Sequence, residues 1–585
     1  MPPDPRPRVK RWVRSPRAPH VAVLAAVTLW SMMGLWTYSW WENHDAINTP
    51  VRFVAFTHEI HGGHLWVRWA SLLSGGHGSP LFIFYAPGLM YLALPFHLVG
   101  LPLLACLKLA TLALRLVGVM SLFALAARRF GPMGGLTAGL AFALAPYLNA
   151  LVFVRGALSE HAAVCLIPPL LLCLDAALTR RRSAPLLGAA LLFAAVIGTH
   201  NITGLLVAPA ILLWGLIAAL LHARWRLMVR ALIVFAWGIA LAALLWLPAL
   251  MLSSRVRVDE MFGGWRDWTY MCDVERLWTR FREIGGQPLF RNLTFAPGDW
   301  QILAAIGACV ISARALRRTR IRPRAKTAAH RRLVATVVPL AIFAVFAAGF
   351  TLLDHPLWER VPLVTTIQFP YRLLAVMTPM ICLATAGIGL LFPRRAEGTW
   401  AWVLLLGLVA TSASMYPGPQ EKARFVVEGR ERSVRSARVE RLVATTYQTG
   451  NNLDEFLPRT VDRTSPLVGA MASPEPFMMP PESGDVRSMD GDPLRCTVTL
   501  SREAEIRFPV FAFSGWRAAV DGERVSVSAD PEGRISVACP AGEHTVTLWF
   551  GLDTPSRVGL GITLVALLGG LPLAIRRPRR RRKGW

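Results

Sequence analysis

The polar stretch from residue 42 to residue 85 carries many of the ionisable side chains that could do chemistry in an otherwise apolar chain. It contains Asp45, Glu59 and Arg68 and ends near the turn Gly76–Pro80, which reads GHGSP. Ionisable groups held against a membrane cost free energy and are commonly kept for function. A carboxylate such as Asp45 can accept a proton from a hydroxyl or help to hold a cation. The stretch therefore predicts the active-site floor of a membrane-embedded enzyme; the alternative is that Asp45 caps a helix or is a solvated loop acid.

A second segment, Arg155–His161, reads RGALSEH and interrupts two apolar runs. The guanidinium of Arg155 could pair with a phosphate. Glu160 could bind a metal ion or orient a substrate. The alternative is an ion pair between Arg155 and Glu160 that only stabilises the loop.

Two further polar segments lie at the ends of apolar runs. In the first, THN, His200 and Asn201 could hydrogen-bond a headgroup or a sugar, although a histidine satisfied within the helix core fits equally well. In the second, QFPYR, Gln368 is a candidate substrate-binding residue and Arg372 a candidate phosphate clamp. The alternative for Arg372 is an interfacial arginine that reaches toward the membrane surface.

Histidines in the first polar stretch do not complete a zinc site. They are His44, His58, His61, His64 and His77. His61 and His64 lie three residues apart, but no HExxH pattern or other ligand set accompanies them. The chain also lacks a Walker A loop and a dinucleotide fingerprint. The sequence leaves open a divalent cation, Mg²⁺ or Mn²⁺, with Asp45 and Glu160 as its candidate ligands.

Apolar runs dominate the 585-residue chain, of which 54% is hydrophobic. Runs of nearly membrane-spanning length recur from residue 21 to residue 416 and once more near the C-terminus. This pattern predicts a mostly α-helical, polytopic membrane protein with about twelve transmembrane helices.

The net charge of +27 comes from short Arg/Lys clusters between these runs. Such clusters mark the cytoplasmic side of a membrane protein and meet anionic lipid headgroups. No nucleic-acid-binding module accompanies them, so the predicted partners are membrane lipids and not nucleic acid. We expect a multi-pass protein of the bacterial inner membrane with both termini in the cytoplasm.

The alternation of basic clusters predicts the order of the segments. Residues 1–20 form a basic cytoplasmic N-terminus, and the transmembrane domain extends over 21–416, with a first outer loop at 42–100. Within that loop, Pro80–Leu98 contains Pro80, Pro87 and Pro95. We expect it to be a broken helix along the outer membrane surface, because a straight span would place the next Arg clusters outside.

Residues 417–555 are more polar and show strand-like alternation with Asp-Gly and Glu-Gly turns. They predict a small, extracytoplasmic, β-sandwich-like domain before the last span at 556–575 and a basic cytoplasmic tail at 576–585. Cys496 and Cys539 lie in this domain, where a disulfide is an open alternative.

Several of these motifs, in the same order, resemble the GT-C glycosyltransferase superfamily, in the branch called pyruvoyl-tetrahydropterin-synthase-related, with YfhO-like relatives. The resemblance is carried by Asp45, Arg68-Trp69, Gly76–Pro80, Phe82–Tyr85, the RGALSE, THN and QFPYR segments, Phe513–Trp516, Asp521-Gly522 and Pro540–His544. The pterin label itself finds no support in a pterin-synthase fold or a zinc-histidine triad.

The resemblance implies inverting transfer of a sugar from a polyprenyl-phosphate donor. It implies that Asp45 is the catalytic carboxylate and that Glu160 assists it. It also implies the helix along the membrane surface after the first loop. Members of this branch often carry a His shortly after the Asp, where this chain has Asn48 and Thr49.

We therefore expect a GT-C-like glycosyltransferase that moves a sugar from a lipid-linked donor to a glycan or lipid acceptor of the cell envelope. Asp45 and Glu160 are its expected catalytic residues, and Arg68, Arg155, His200, Asn201, Gln368 and Arg372 its expected substrate- or phosphate-binding residues. Two alternatives remain: a transporter or flippase for a lipid-linked glycan, favoured by Lys108 and Arg115 within a span, and a non-catalytic envelope assembly protein. The sequence does not specify the sugar.

Overall fold

The computed structural model describes residues 18–37, 45, 48–179, 183–258, 297–318, 323–352, 367, 370–391, 424–427, 430–433, 456–462, 475–489 and 492–575. This part of the chain is mostly helical, with a β domain before the C-terminal helix. The principal helices are α1 Ala18–Ser31, α2 Gly34–Thr37, α3 Asn48–His61, α4 Leu81–Phe84, α5 Gly88–Leu98, α6 Leu103–Ala143, α7 Pro146–Ala150, α8 Leu158–Thr179, α9 Ala184–Thr199, α10 Asn201–His222, α11 Arg226–Leu241, α12 Ala243–Leu252, α13 Asp299–Arg318, α14 Pro323–Leu352, α15 Leu374–Ala384 and α16 Thr554–Ile575.

Six helical segments of the described residues are long and apolar enough to cross a membrane, or seven if the bent pair α11–α12 counts as one span. The predicted number of about twelve is therefore not reached within this part of the chain. The helix α1, in the first predicted apolar run, has 14 residues and is only about 21 Å long. The apolar stretch at 400–416, which we expect to be a further span, lies outside the described residues.

Helix α6 doubles back on itself. Gly131 interrupts it with φ 80° and ψ 179°, next to Pro132. A Cβ placed on Gly118 would lie 2.9 Å from the ring of Phe142, although a straight helix would separate these residues by about 36 Å. The element is therefore an antiparallel helical hairpin, with Arg128 and Arg129 next to its bend.

The segment Pro80–Leu98 consists of two short helices, α4 with 4 residues and α5 with 11 residues. At about 16 Å, α5 is too short to cross a hydrocarbon layer of about 30 Å. The break at Pro87 matches the broken helix that the prolines predict.

The bent pair α11–α12 is stabilised by the C-terminal helix α16. The two helices meet at an angle of 67°. At the break, the Thr563 hydroxyl accepts from the Leu244 N–H at 3.0 Å and lies 3.3 Å from the Ala240 carbonyl oxygen. Gly559 allows close approach, because a Cβ there would lie 2.6 Å from the Ala243 carbonyl oxygen.

The β domain contains two antiparallel sheets that share a hydrophobic core. The strands are β1 Arg424–Val427, β2 Arg430–Ser433, β3 Phe477–Met479, β4 Gly484–Met489, β5 Asp492–Leu500, β6 Ala504–Phe511, β7 Trp516–Val520, β8 Glu523–Val525, β9 Ser528–Ala529, β10 Arg534–Cys539 and β11 Gly542–Phe550. One sheet has the order β4-β5-β11-β7-β8 and the other β3-β6-β10-β9, while β1 and β2 form a separate pair. Alternate residues of β5 (Cys496, Val498 and Leu500) are buried in the core, as expected for a sheet with one solvated face. Cys496 and Cys539 are both free thiols in this core.

The first polar loop packs directly on the β domain. The Phe511 N–H donates to the His77 carbonyl at 2.9 Å, and the rings of the two residues stack at 4.8 Å. Trp69 contacts Trp516 and Phe550, with ring centroids 5.3 and 5.2 Å away. The β domain is thereby held against the loop that carries Asp45.

Candidate active site

Asp45 is held beside the turn that follows Arg155. Its backbone N–H donates to the Arg155 carbonyl at 2.9 Å. The Asn48 side chain donates to Asp45 Oδ1 at 3.1 Å, and the Thr49 hydroxyl donates to the Gly156 carbonyl at 3.4 Å. Gly156 has φ 67°, a left-handed conformation that favours glycine. Asn48 and Thr49, the residues that stand where the resembling branch often has a His, thus help to fix the first loop on this turn.

Glu160 is the centre of a buried polar cluster. It is 1% exposed, and its Oε2 lies 2.5 Å from Arg155 Nη1. Its other carboxylate oxygen accepts a hydrogen bond from the Tyr147 hydroxyl. Glu160 also lies in the first turn of α8, where the positive end of the helix dipole favours a negative charge.

The segment around Arg372 brings a second guanidinium to the same carboxylate. Arg372 Nε lies 3.7 Å from Glu160 Oε2, and its Nη1 donates to the Ile367 carbonyl at 2.9 Å. The Tyr371 ring lies under the Arg155 guanidinium, 5.0 Å from its carbon. Gln368, the other residue predicted in this segment, lies outside the described residues.

His200 caps the helix α10 and lies near the charged cluster around Glu160. Its Nδ1 accepts from the Thr203 N–H at 3.2 Å, so the neutral ring carries its proton on Nε2. Glu160, Arg372 and Arg155 are its charged neighbours. Asn201, the next residue, donates from its side-chain nitrogen to the Phe84 carbonyl at 2.9 Å and thus joins α10 to α4.

Arg68 lies at the contact between the first loop and the end of the β domain, and not beside Glu160. Its Nη2 donates to the Gly551 carbonyl at 2.8 Å, and its Nη1 lies 3.7 Å from Asp553 Oδ2. The guanidinium also lies over the Phe550 ring at 4.8 Å. These contacts join the first loop to the end of the β domain, so the structure gives Arg68 a role in holding the two together.

Sequence patterns missed the tyrosines of the site. Tyr147 is fully buried among apolar residues, and its hydroxyl bonds Glu160. Tyr85 donates to the Ser159 hydroxyl at 2.9 Å and packs against Arg52 at 4.0 Å. A tyrosine within an apolar run can indicate a buried polar site, because a buried hydroxyl needs a hydrogen-bond partner.

A second buried network lies next to the first. Arg115, which is fully buried, donates to the Asn149 side-chain oxygen and lies 3.4 Å from His161 Nε2. His161 Nε2 in turn lies 3.5 Å from the Cys165 sulfur. Because His161 follows Glu160 in the chain, this network helps to hold the first turn of α8 in place.

Two negative and two positive charges meet at the site. Arg155 and Arg372 both lie beside one carboxylate, Glu160, and Asp45 supplies the second negative charge. Asp45 lies close enough to Arg155 to contribute to its electrostatic environment. Guanidinium groups gathered in this way can bind phosphate oxygens through charge-assisted hydrogen bonds. Within the described residues, no group of three or more His, Cys, Asp and Glu side chains is arranged to hold a metal ion.

No protein-family model and no curated protein matches the chain. Among solved structures, the arabinofuranosyltransferase AftD from Mycobacteria is similar at 19% identity and a TM-score of 0.39, over 67% of this chain and 26% of AftD. ArnT from Cupriavidus metallidurans, bound to undecaprenyl phosphate, is similar at 16% identity and a TM-score of 0.29, over 63% of this chain and 77% of ArnT. The chain thus spans about a quarter of the length of AftD. Neither TM-score reaches 0.5, and the predicted GT-C and YfhO-like assignments remain predictions.

Proposed function

We propose that the protein is a membrane glycosyltransferase that moves a sugar from a polyprenyl-phosphate donor to a hydroxyl of a cell-envelope glycan or lipid. The observation that carries the proposal is the pairing of two buried arginines around Glu160, with Asp45 fixed beside them. This arrangement supplies a base and an anion-binding site in one place. In the predicted topology, it lies on the outer face of the bacterial inner membrane.

In the proposed reaction, Asp45 takes the proton of the acceptor hydroxyl. The hydroxyl oxygen then attacks the anomeric carbon from the face opposite the phosphate. The bond between that carbon and the phosphate oxygen breaks, its electron pair leaves with the lipid phosphate, and the configuration inverts. Arg155 and Arg372 stabilise the departing phosphate as charge-assisted hydrogen-bond donors.

Glu160 acts in this proposal as a positioning residue. Both of its oxygens are occupied, one by Arg155 and the other by Tyr147. A metal ion at Glu160 would share the carboxylate with these two partners. The proton on His200 Nε2 is a candidate donor to the sugar or phosphate of the bound substrate.

A transfer assay tests the proposal. The full-length protein in liposomes is offered a panel of polyprenyl-phosphate sugars and an envelope extract, and products are detected by mass spectrometry. We expect Asp45→Asn to lower the rate by a factor of at least about 10²–10⁴, since it removes a general base. The matched control, Asp485→Asn, neutralises an exposed carboxylate of the β domain and should leave the rate unchanged.

The same assay decides the remaining points. Addition of EDTA and then of Mg²⁺ or Mn²⁺ measures any metal dependence. A folded Asp45→Asn variant that still transfers sugar would overturn the role of Asp45. Translocation of a lipid-linked sugar without transfer would instead favour the flippase alternative, for which Lys108 and Arg115, both buried in α6, are the relevant features.

A further inference from the structure

A cavity of about 280 Å³ lies at the opposite end of the transmembrane helices from Glu160. The helix α8 shows the separation, since Glu160 is in its first turn and Asp175 near its end lines the cavity. Fifteen helical residues separate the two, which corresponds to about 22 Å. The cavity is therefore distinct from the candidate active site.

The inner wall of the cavity is apolar. It is formed by side chains of α6, α10, α14 and α15, including Phe130, Trp214, Val338 and Leu383. The polar lining residues lie near helix ends, in an adjoining turn or, for Arg331, two turns into α14: Arg129, Asp175, Thr179, His222, Arg224 and Arg331. A ligand that fits this lining has a charged group at one end and an apolar group at the other.

Three arginines, Arg129, Arg224 and Arg331, line the polar end of the cavity. Asp175 lies 2.9 Å from Arg129 and 3.9 Å from Arg128, so its single negative charge is already shared between two guanidinium groups. Arg224 and Arg331 also line the cavity and are exposed to solvent. Two neighbouring arginines, Arg230 and Arg332, donate to the carbonyls of Ala177 and Arg129.

We propose that this cavity binds a phosphate group carried by a membrane amphiphile, with Arg224 and Arg331 contacting the phosphate and the apolar wall receiving the first part of the chain. Guanidinium groups match the geometry of phosphate oxygens. The apolar wall favours a lipid phosphate over free phosphate. The basic clusters place this end on the cytoplasmic side, where anionic lipids attract arginines. The inference does not depend on the transferase activity.

Native mass spectrometry of the full-length protein tests the site. The detergent-solubilised protein is titrated with phosphatidylglycerol or with phosphatidylcholine, and the number of retained lipids is counted. The double variant Arg224→Gln/Arg331→Gln should retain phosphatidylglycerol at least about tenfold more weakly, which corresponds to about 1.4 kcal/mol. The control Arg226→Gln/Arg318→Gln removes the same charge from exposed residues that do not line the cavity.

A second variant tests the apolar wall of the cavity without changing the net charge of the protein. Ala218→Phe would fill part of the apolar wall without changing the net charge, and it should also weaken retention of phosphatidylglycerol. Inorganic phosphate is then added as a competitor. Displacement of lipid only at high concentrations supports a lipid ligand, whereas tight binding of phosphate alone supports the same chemistry from a soluble source. Equal retention by the double variant, the control and Ala218→Phe would overturn the proposal, as would equal retention of phosphatidylcholine by the wild type.

Discussion

Arg155 and Glu160 form an ion pair across one left-handed turn, with Nη1 and Oε2 2.5 Å apart and both side chains buried. The turn at Gly156 reverses the chain between the end of one helical segment and the first turn of α8. The pair therefore fixes the position of the arginine relative to the loop that holds Asp45, because the Arg155 carbonyl accepts from the Asp45 N–H. A substitution of Arg155 or Glu160 should therefore also shift Asp45, the proposed base.

Glu160→Gln should destabilise the fold by about 3–5 kcal/mol, because it removes the buried carboxylate charge beside which Arg155 and Arg372 both lie. Thermal unfolding in detergent measures the effect. The double variant Arg155→Met/Glu160→Gln should recover part of the loss. The control is Glu482→Gln, in an exposed pair with Arg502 at 3.9 Å, which should cost less than about 1 kcal/mol. Equal losses for the two glutamates would mean that the buried pair is not structural.

Arg68→Met should loosen the β domain from the first loop. The substitution keeps an apolar side chain but loses the bond to the Gly551 carbonyl and the charge facing Asp553. Hydrogen exchange should become faster in residues 66–79 and 511–556, while the interior of α8 is unchanged. Arg487→Met, at an exposed position of β4, is the control. If the two variants exchange alike, Arg68 does not join the domains, and substrate binding becomes the better account of it.

Local sequence signals identified the residues that the structure gathers around Glu160. Asp45, Arg155, Glu160, His200 and Arg372 come from four separate segments, and each segment is a polar interruption between apolar runs. A charge in such a position is costly unless it is paired, so its presence predicts a partner. Their roles in transfer remain predictions that the assay above tests.

Long-range pairing could not be predicted in this way. Arg68 was expected at the substrate, but its partners Gly551 and Asp553 lie more than four hundred residues away in the chain, and no local pattern shows that contact. Tyr147 was missed because periodicity treats an aromatic residue in an apolar run as core. The bend between α11 and α12 was missed for a similar reason: Thr563, which bonds the backbone at the bend, lies in α16.

His77 should make the contact between the first loop and the β domain sensitive to acid. Burial lowers the pKa of His77 below its usual 6.5, a hydrogen bond with the Pro509 backbone opposes this shift, and the positive charge of Arg534 adds to it. The unfolded chain takes up a proton as the pH falls below about 6.5 while the folded chain resists it, so stability is full above that pH and is lost below it. We expect the melting temperature of His77→Phe to fall less than that of the wild type between about pH 7 and about pH 5.5.

The control for this measurement is His58→Phe, because His58 is an exposed histidine of α3. Its melting temperature should follow that of the wild type over the same pH range. If His77→Phe keeps the full acid sensitivity, the titrating group lies elsewhere. The Phe side chain preserves the ring that stacks on Phe511, so a loss of packing is not expected to confuse the result.

Gly78→Ala should destabilise the docked loop more than an ordinary change at a turn. Gly78 has φ 80°, and a Cβ there would lie 2.3 Å from Trp69 Nε1, which has no room to move within the aromatic contacts with Trp516 and Phe550. The left-handed backbone costs about 1–2 kcal/mol for alanine, and the overlap adds about 1–3 kcal/mol. Gly63→Ala is the control, because Gly63 has a similar backbone conformation, with φ 88°, but no atom lies within 4 Å of its Cβ position. The difference between the two unfolding free energies isolates the overlap with Trp69, and a difference near zero would show that the Trp69 ring moves aside without cost.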